Sequence, residues 1–264
     1  MLLRSWNLFH GNAVPTGREA FLERMVRLVA DGADVVCLQE VPVWALRRLA
    51  EWSGMQAVGE IAAPPRLGPL RSSAELGRVL TDVHHGLLRS AFTGQANAIL
   101  VAPPLRVAGS ERIVLNARRF RDAQARTLGL GALARLAWAK ERRVCQAVRL
   151  VEGGRPLLVG NLHATSYDAD PRLAEAEVLR AASFVDGLAA PGEPCVLAGD
   201  FNVRAGARVL DELRGWGFSG GGHEVDHVLV RDLETGGLES WPEGRRRVEG
   251  RLLSDHAPLE VTIA

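Results

Sequence analysis

Lysine is nearly missing from this 264-residue chain: Lys140 is the only one, and every other basic side chain is arginine or histidine. Cysteine is scarce as well. Cys37, Cys145 and Cys195 each sit inside apolar, strand-like runs, which argues against a disulfide framework or a cysteine zinc site and suits small buried hydrophobes in a reducing compartment. No apolar stretch is long enough to span a bilayer, and the opening LLRSWN has no leader-like apolar region. A soluble, cytoplasmic protein is expected. Repeats, low-complexity tracts and dividing linkers are absent, so we expect one domain over 1–264, large enough to bury roughly three quarters of its unfolded surface. The formal net charge is only +1, so any attraction for anions must come from where the arginines sit.

Their placement is uneven. Between Arg106 and Arg143 nine arginines and Lys140 are set against only Glu111, Asp122 and Glu141. A second cluster, Arg245, Arg246, Arg247 and Arg251, comes just before LLSDHAPL. Either cluster alone reads as a solvated face. Beside a phosphate site, planar guanidinium forks would grip phosphate oxygens, which makes Arg118, Arg119, Arg121, Arg245, Arg246 and Arg247 candidate substrate contacts.

Short apolar runs alternate with helix-length amphipathic stretches, the pattern of a mixed α/β protein. GREAFLERMVRLVADG places Phe21, Leu22, Met25, Leu28 and Val29 on one helical face and closes at Gly32. ADVVCLQEV predicts a strand buried on both faces, and Pro42 can open a helix over PVWALRRLAEW. LLRSWNL, QANAILVA, RVCQAVRLV, PLLVGNLH, PCVLAGDFNV, EVDHVLV and APLEVTI predict further strands, and DPRLAEAEVLRAASFVDGLA a helix. Hairpin-length links such as EGGRP (152–156) argue against a purely parallel sheet and for two packed sheets with outer helices. The segment 103–143 is the least regular; within it LGLGALARLAWAKERR suits an amphipathic helix packed on a sheet face.

Acids, amides and histidines recur where these strands end or begin. Asn7 follows LLRSW, Glu40 follows VVCLQ, His163 follows LLVGNL and Asp200 follows CVLAG; Asp226 and His227 precede VLV, and Asp255 and His256 precede APLEV. One such residue is usually structural, but six placements of types that bind hard metals or move protons point to a site. In GDFN, strand alternation would aim Asp200 and Asn202 together and turn Phe201 into the core, while Gly199 permits a close backbone approach. An Asx turn accounts for the same four residues. Glu40, assisted by Asn7, suits Mg²⁺, which takes one or two protein carboxylates; a glutamate capping the Pro42 helix is the plain alternative. His256 could donate to a phosphate with Asp226 or Asp255 holding its tautomer, or could belong to a loop salt bridge.

The ordered set SWN (5–7), LQE (38–40), NLH (161–163), GDFN (199–202), DHVLV (226–230) and SDHAPL (254–259) resembles the endonuclease/exonuclease/phosphatase superfamily, the deoxyribonuclease I-like fold, over nearly the whole chain. The resemblance implies a four-layer α/β sandwich of two packed sheets with helices outside. It implies Glu40 as principal Mg²⁺ ligand with Asn7 beside it and Asp255 near the metal, Mn²⁺ being a possible substitute. It further implies Asp200 as the group that activates water, Asn202 as a phosphate holder, His256 as charge stabiliser oriented by Asp226, and His163 as a second phosphate-facing histidine. Two departures matter. Exonuclease III-type apurinic endonucleases carry an aspartate where this chain has Phe9 and a tyrosine where it has His163, and the longer C-terminal signature of the phosphoinositide 5-phosphatases is missing from GRLLSDHAPL. The function expected is Mg²⁺-dependent hydrolysis of nucleic-acid phosphodiesters, as a DNA endonuclease without an obligate protein partner. The alternative is a phosphoesterase on phospholipid head groups or small phosphorylated metabolites, and a non-catalytic binding module ranks below both because all principal positions are filled.

Overall fold

Central strands apolar on both faces require two coverings, and here each sheet is covered by the other sheet on one side and by helices on the opposite side. The computed structural model describes residues 1–8, 18–64, 66–67, 70–71, 73 and 94–264. Its first six-stranded sheet runs, in spatial order, Glu239–Ser240 (β11), Leu259–Thr262 (β12), Leu2–Asn7 (β1), Val35–Val41 (β2), Gln95–Val101 (β4) and Gln56–Ala63 (β3). The second runs Ser219–His223 (β9), Asp226–Arg231 (β10), Cys195–Asp200 (β8), Arg155–His163 (β7), Val144–Glu152 (β6) and Arg106–Val114 (β5). Each sheet holds one parallel pair, β1 with β2 and β7 with β8, and all its other pairings are antiparallel. Parallel neighbours need a crossover, supplied by α1 (Arg18–Ala30) in the first sheet and α5 (Arg172–Leu188) in the second.

Between the sheets lie Leu3, Cys37, Ile99, Val148, Val159 and Val196. Trp6, Met25 and Trp52 fill the layer under α1, and Leu162, Val178, Phe201 and Leu213 the layer under α5 and α6 (Arg208–Gly215). This is the expected four-layer sandwich. The three cysteines are free and buried; burial pushes Cys37 up to about 12 and Cys195 up to about 11, and raises Cys145 as well. Among the described residues no helix is long and apolar enough to cross a membrane.

Two helix expectations change. PVWALRRLAEW divides into a 3₁₀ turn, Val43–Arg47, and a short helix, α2 (Leu49–Ser53). The tighter turn lets Trp44 and Trp52 both reach the core, where their rings meet edge to face 6.1 Å apart. The basic segment forms α3 (Arg118–Thr127) and α4 (Ala132–Lys140), which pack on each other and on Leu173 around Trp138 instead of lying on a sheet. Leu133 and Leu136 stay 76% and 68% exposed.

Candidate active site

The two parallel pairs end at one rim. Strands β1, β2, β7 and β8 deliver Asn7, Glu40, His163 and Asp200 at or beside their carboxyl ends, where open α/β sheets place their ligands. Antiparallel neighbours begin where these strands end. Asp226 opens β10 in register with Asp200, and the turn before β12 carries His256 beyond the end of β1.

The inter-sheet face turns polar toward this rim. Ser5, Gln39, Asn97, Gln146 and Asn161 are all buried there. Gln39 donates to Asn161 Oδ1 at 2.8 Å, and Asn161 donates to the Leu38 and Ala98 carbonyls at 3.0 and 2.9 Å. These bonds give the Gln39 and Asn161 amide nitrogens their acceptors and join the halves beneath the site, while the side-chain oxygens of Gln39 and Gln146 stay buried without a partner.

Strict alternation along β2 would send Glu40 to the helix side with Val36 and Leu38. A register irregularity between Leu38 and Val41, with Glu40 at φ 53°, re-aims it instead, and its Oε1 lies 3.8 Å from His163 Nε2. Burial pushes Glu40 up to about 7; Arg143 and His256 pull it down, whereas Asp200 and Glu141 push it further up.

Asp200 is 2% exposed and lies at the centre of the site. Its Oδ2 accepts from Asn7 Nδ2 at 2.9 Å, and its Oδ1 accepts from the Asn202 backbone N–H at 2.9 Å. His163 Nε2 lies 3.5 Å and His256 Nε2 3.9 Å from Oδ2. Burial raises Asp200, opposed by His256, these two hydrogen bonds and Arg143. Alternation does not carry Asn202 here. The strand stops at Asp200, Asn202 takes φ 48°, and its side-chain amide donates to the Ala164 carbonyl at 3.0 Å. The Asx turn and the site are thus the same structure. Gly199 is required by a neighbouring backbone: at φ 137°, a Cβ there would meet the Leu162 carbonyl oxygen at 2.0 Å.

His256 Nδ1 donates to Asp226 Oδ2 at 2.7 Å, which leaves Nε2 toward Asp200. Burial disfavours the imidazolium, but the bond to Asp226 and the charges of Asp226, Asp200 and Asp255 outweigh it and push His256 up to about 10. The turn is pinned from three sides. Trp6 Nε1 donates to the His256 carbonyl at 2.9 Å, Ser254 Oγ donates to the Asn7 carbonyl at 2.8 Å, and Arg246 Nη1 donates to the Ser254 and His256 carbonyls at 2.8 and 3.0 Å. Asp255 is exposed, its Oδ1 accepting from the His256 N–H at 3.1 Å.

Arg143 was not singled out from the sequence. It is 7% exposed, with Nη1 2.9 Å and 3.0 Å from the two ring nitrogens of His163 and Nη2 2.9 Å from Glu141 Oε2. A guanidinium only donates, so the His163 nitrogen that faces it accepts. The signal was an arginine at the mouth of an interior apolar strand, hidden within a longer arginine run. Asn116, which accepts from the Arg143 N–H at 2.9 Å and donates to the Trp138 and Glu141 carbonyls, closes the base of α3 and α4 and fixes that position.

The six candidate arginine contacts lie outside this cluster. Arg118 and Arg119 are exposed on α3, Arg118 being 3.7 Å from Asp122, and Arg121 donates to the Asn116 carbonyl. Arg245 meets Glu260 at 3.3 Å and covers the Trp241 ring, Arg246 holds the His256 turn, and Arg247 bonds Glu243 and the Gly250 carbonyl.

A hard divalent cation fits this donor chemistry. Asp200, Asp226 and His256 offer ligand atoms within 4.8 Å of one another, Glu40 adds a further carboxylate, and Asp226 Oδ1 is buried with no hydrogen-bond partner.

Solved structures share the architecture at low identity. The human Nocturnin catalytic domain with bound sulfate anion aligns over 100% of this chain and 93% of its own, at TM-score 0.69 and 15% identity. D. rerio TDP2 complexed with single strand DNA product covers 100% and 98%, at 0.67 and 13%, and a Bacteroides thetaiotaomicron mannosyl-6-phosphatase 100% and 99%, at 0.66 and 15%. No curated protein matches by sequence. The model of the Endonuclease/Exonuclease/phosphatase family matches residues 5–256, the span that holds every rim residue described above, and the chain belongs to that family, whose members are phosphoesterases and nucleases.

Proposed function

We propose that this protein hydrolyses nucleic-acid phosphodiester bonds with Mg²⁺, acting as a DNA endonuclease in the cytoplasm. The observation that carries the reading is Asp200, buried and oriented by Asn7 and Asn202, with an imidazole on either side. Asp200 accepts the proton of the attacking water, its own two donors fixing which lone pair is presented. His256, kept protonated by Asp226, donates from Nε2 to the phosphoryl oxygens as charge builds on them. His163, backed by the fixed positive group of Arg143, would face the phosphate beside Asp200, and Asn202, whose amide donates to the Ala164 carbonyl, would help hold it. Glu40 with Asn7, and Asp255 nearby, would hold Mg²⁺ or Mn²⁺, which neutralises charge on the phosphoryl and leaving oxygens when bound. Arg118, Arg119, Arg121, Arg245 and Arg247 would add phosphate contacts and salt-sensitive affinity, while Arg246 holds the His256 turn. The free, buried cysteines support a reducing compartment.

Nicking of supercoiled plasmid tests the reading. Cleavage is expected with Mg²⁺ and none with chelator, and Asp200→Asn should lower kcat by about 10³-fold or more. Wild-type rates retained in Asp200→Asn or Glu40→Gln would overturn the mechanism. A phosphoesterase acting on lipid head groups is the second reading, favoured by the exposure of Leu133 and Leu136 on a basic helix pair. A panel of plasmid, RNA, phosphoinositide and chromogenic phosphodiester separates the two, and turnover of lipid alone would replace the nuclease assignment.

A further inference from the structure

Away from the catalytic rim, α3, α5 and α6 enclose a cleft of about 560 Å³, within the range of small-ligand sites. Its walls include Phe120, Arg172, Glu175, Arg180, Arg208 and Trp216. Arg172 is committed, forming a two-pronged bond to Asp170 at 2.8 and 2.7 Å. The other two guanidiniums are not. Among the described residues neither Arg180 nor Arg208 has a carboxylate within 4.0 Å, and Glu177, one turn before Arg180, is taken up by Trp138 and Thr165. Arg180 packs 4.2 Å above the Phe120 ring, and its Nε is buried with no acceptor. Burial holds Arg180 below its usual value, opposed by Glu177. A part-buried guanidinium without an acceptor is costly unless a ligand brings the oxygens. Across the cleft Trp216 keeps 39% of its surface exposed, an aromatic face next to two unneutralised cations.

We infer that this cleft is a second binding subsite for a nucleotide unit, its phosphate held by Arg180 and Arg208 and its base laid against Trp216. Guanidinium forks match phosphate oxygens, and aromatic faces take bases of any sequence. The occupant is either one unit of a bound strand, which rests on the nuclease reading, or a free mononucleotide, which does not. Along the chain the two places are linked: α3 follows Leu115, whose N–H is tied at 2.8 Å to the carbonyl of Arg143, and its exposed Arg118 and Arg119 precede Phe120.

The test uses AMP by calorimetry and a fluorescent dT12 strand by anisotropy, both in chelator so that nothing is cleaved. Wild-type protein should bind both. Arg208→Gln, at an exposed position, should weaken AMP about fivefold or more, and adding Arg180→Gln should remove AMP binding, with thermal melts checking that each variant folds. If a strand occupies the cleft, the double variant also loses about tenfold in dT12 affinity and its log-log salt slope becomes shallower by about 1. If only AMP responds, the occupant is a free mononucleotide. AMP and dT12 affinities unchanged in both variants, or no binding by the wild type, overturn the subsite. Binding of dT12 that depends on Arg180 and Arg208, without any nicking of supercoiled plasmid when Mg²⁺ is restored, keeps the subsite and removes the nuclease reading.

Discussion

Two residues show how much one backbone position decides. Gly199 has no room for a methyl group, because the obstructing atom is a β7 carbonyl that cannot rotate away. Gly199→Ala should therefore lose about 2–4 kcal/mol of stability through displaced backbone and an unfavourable φ, read from urea midpoints. Glu40 shows the opposite economy, since one irregularity in β2 converts an outward-facing position into a site carboxylate. The residues legible in the sequence were those marked locally: Asn7, Glu40, His163 and Asp200 each end an apolar run, so composition changes where the chemistry begins. Arg143 was not legible, nor was the part Asn161 of NLH plays between the sheets, because their significance lies in contacts with His163 and with Gln39, 20 and 122 residues away. No local pattern records such a meeting.

At the scale of elements, the strands divide cleanly by position. All eight interior strands were readable from apolar runs, whereas β3, β5, β9 and β11, which went unread, are the four edges of the two sheets. Edge strands pair on one side only and carry charge or glycine that guards against further pairing, as RVAGSERIV and SGGGH do, so the buried-strand signal is missing where the pairing is real. The link from α5 to β8 gives a pH prediction. Glu193 accepts from Arg149 Nε and Nη2 at 2.6 and 3.0 Å and from the Ala190 N–H at 2.8 Å, and the Arg149 bond holds its pKa below the ordinary 4.5 against the effect of burial. A depressed folded pKa stabilises above the unfolded value and ceases to do so as pH falls through the folded one. Glu193→Gln should cost about 1 kcal/mol at pH 7, modest because Arg149 is 38% exposed, and the two melting curves should converge in strong acid. Arg246 gives a second. With its Nη1 on the Ser254 and His256 carbonyls, Arg246→Ala should lower kcat about tenfold or more with little change in the salt dependence of KM. A large change in that salt dependence would instead mark Arg246 as a phosphate contact.

For the whole molecule, the rim gathers Glu40, Asp200 and Asp226 in one buried place, and burial or mutual repulsion raises all three. A cation that binds only the folded chain stabilises it by mass action. MgCl2 at about 100 times its Kd should add about 2.7 kcal/mol, seen as a higher Tm, and Glu40→Gln should lose most of the increment. The thiols extend this to motion. Cys37 lies between the sheets while Cys145 and Cys195 lie beneath the helices of the second, so a thiol reagent added to native protein finds nothing to react with until a layer separates. Each cysteine therefore times the opening of its own layer. The order in which Cys37 and the other two become labelled would reveal whether the molecule comes apart first between its sheets, through the floor of the site, or first by shedding its helices.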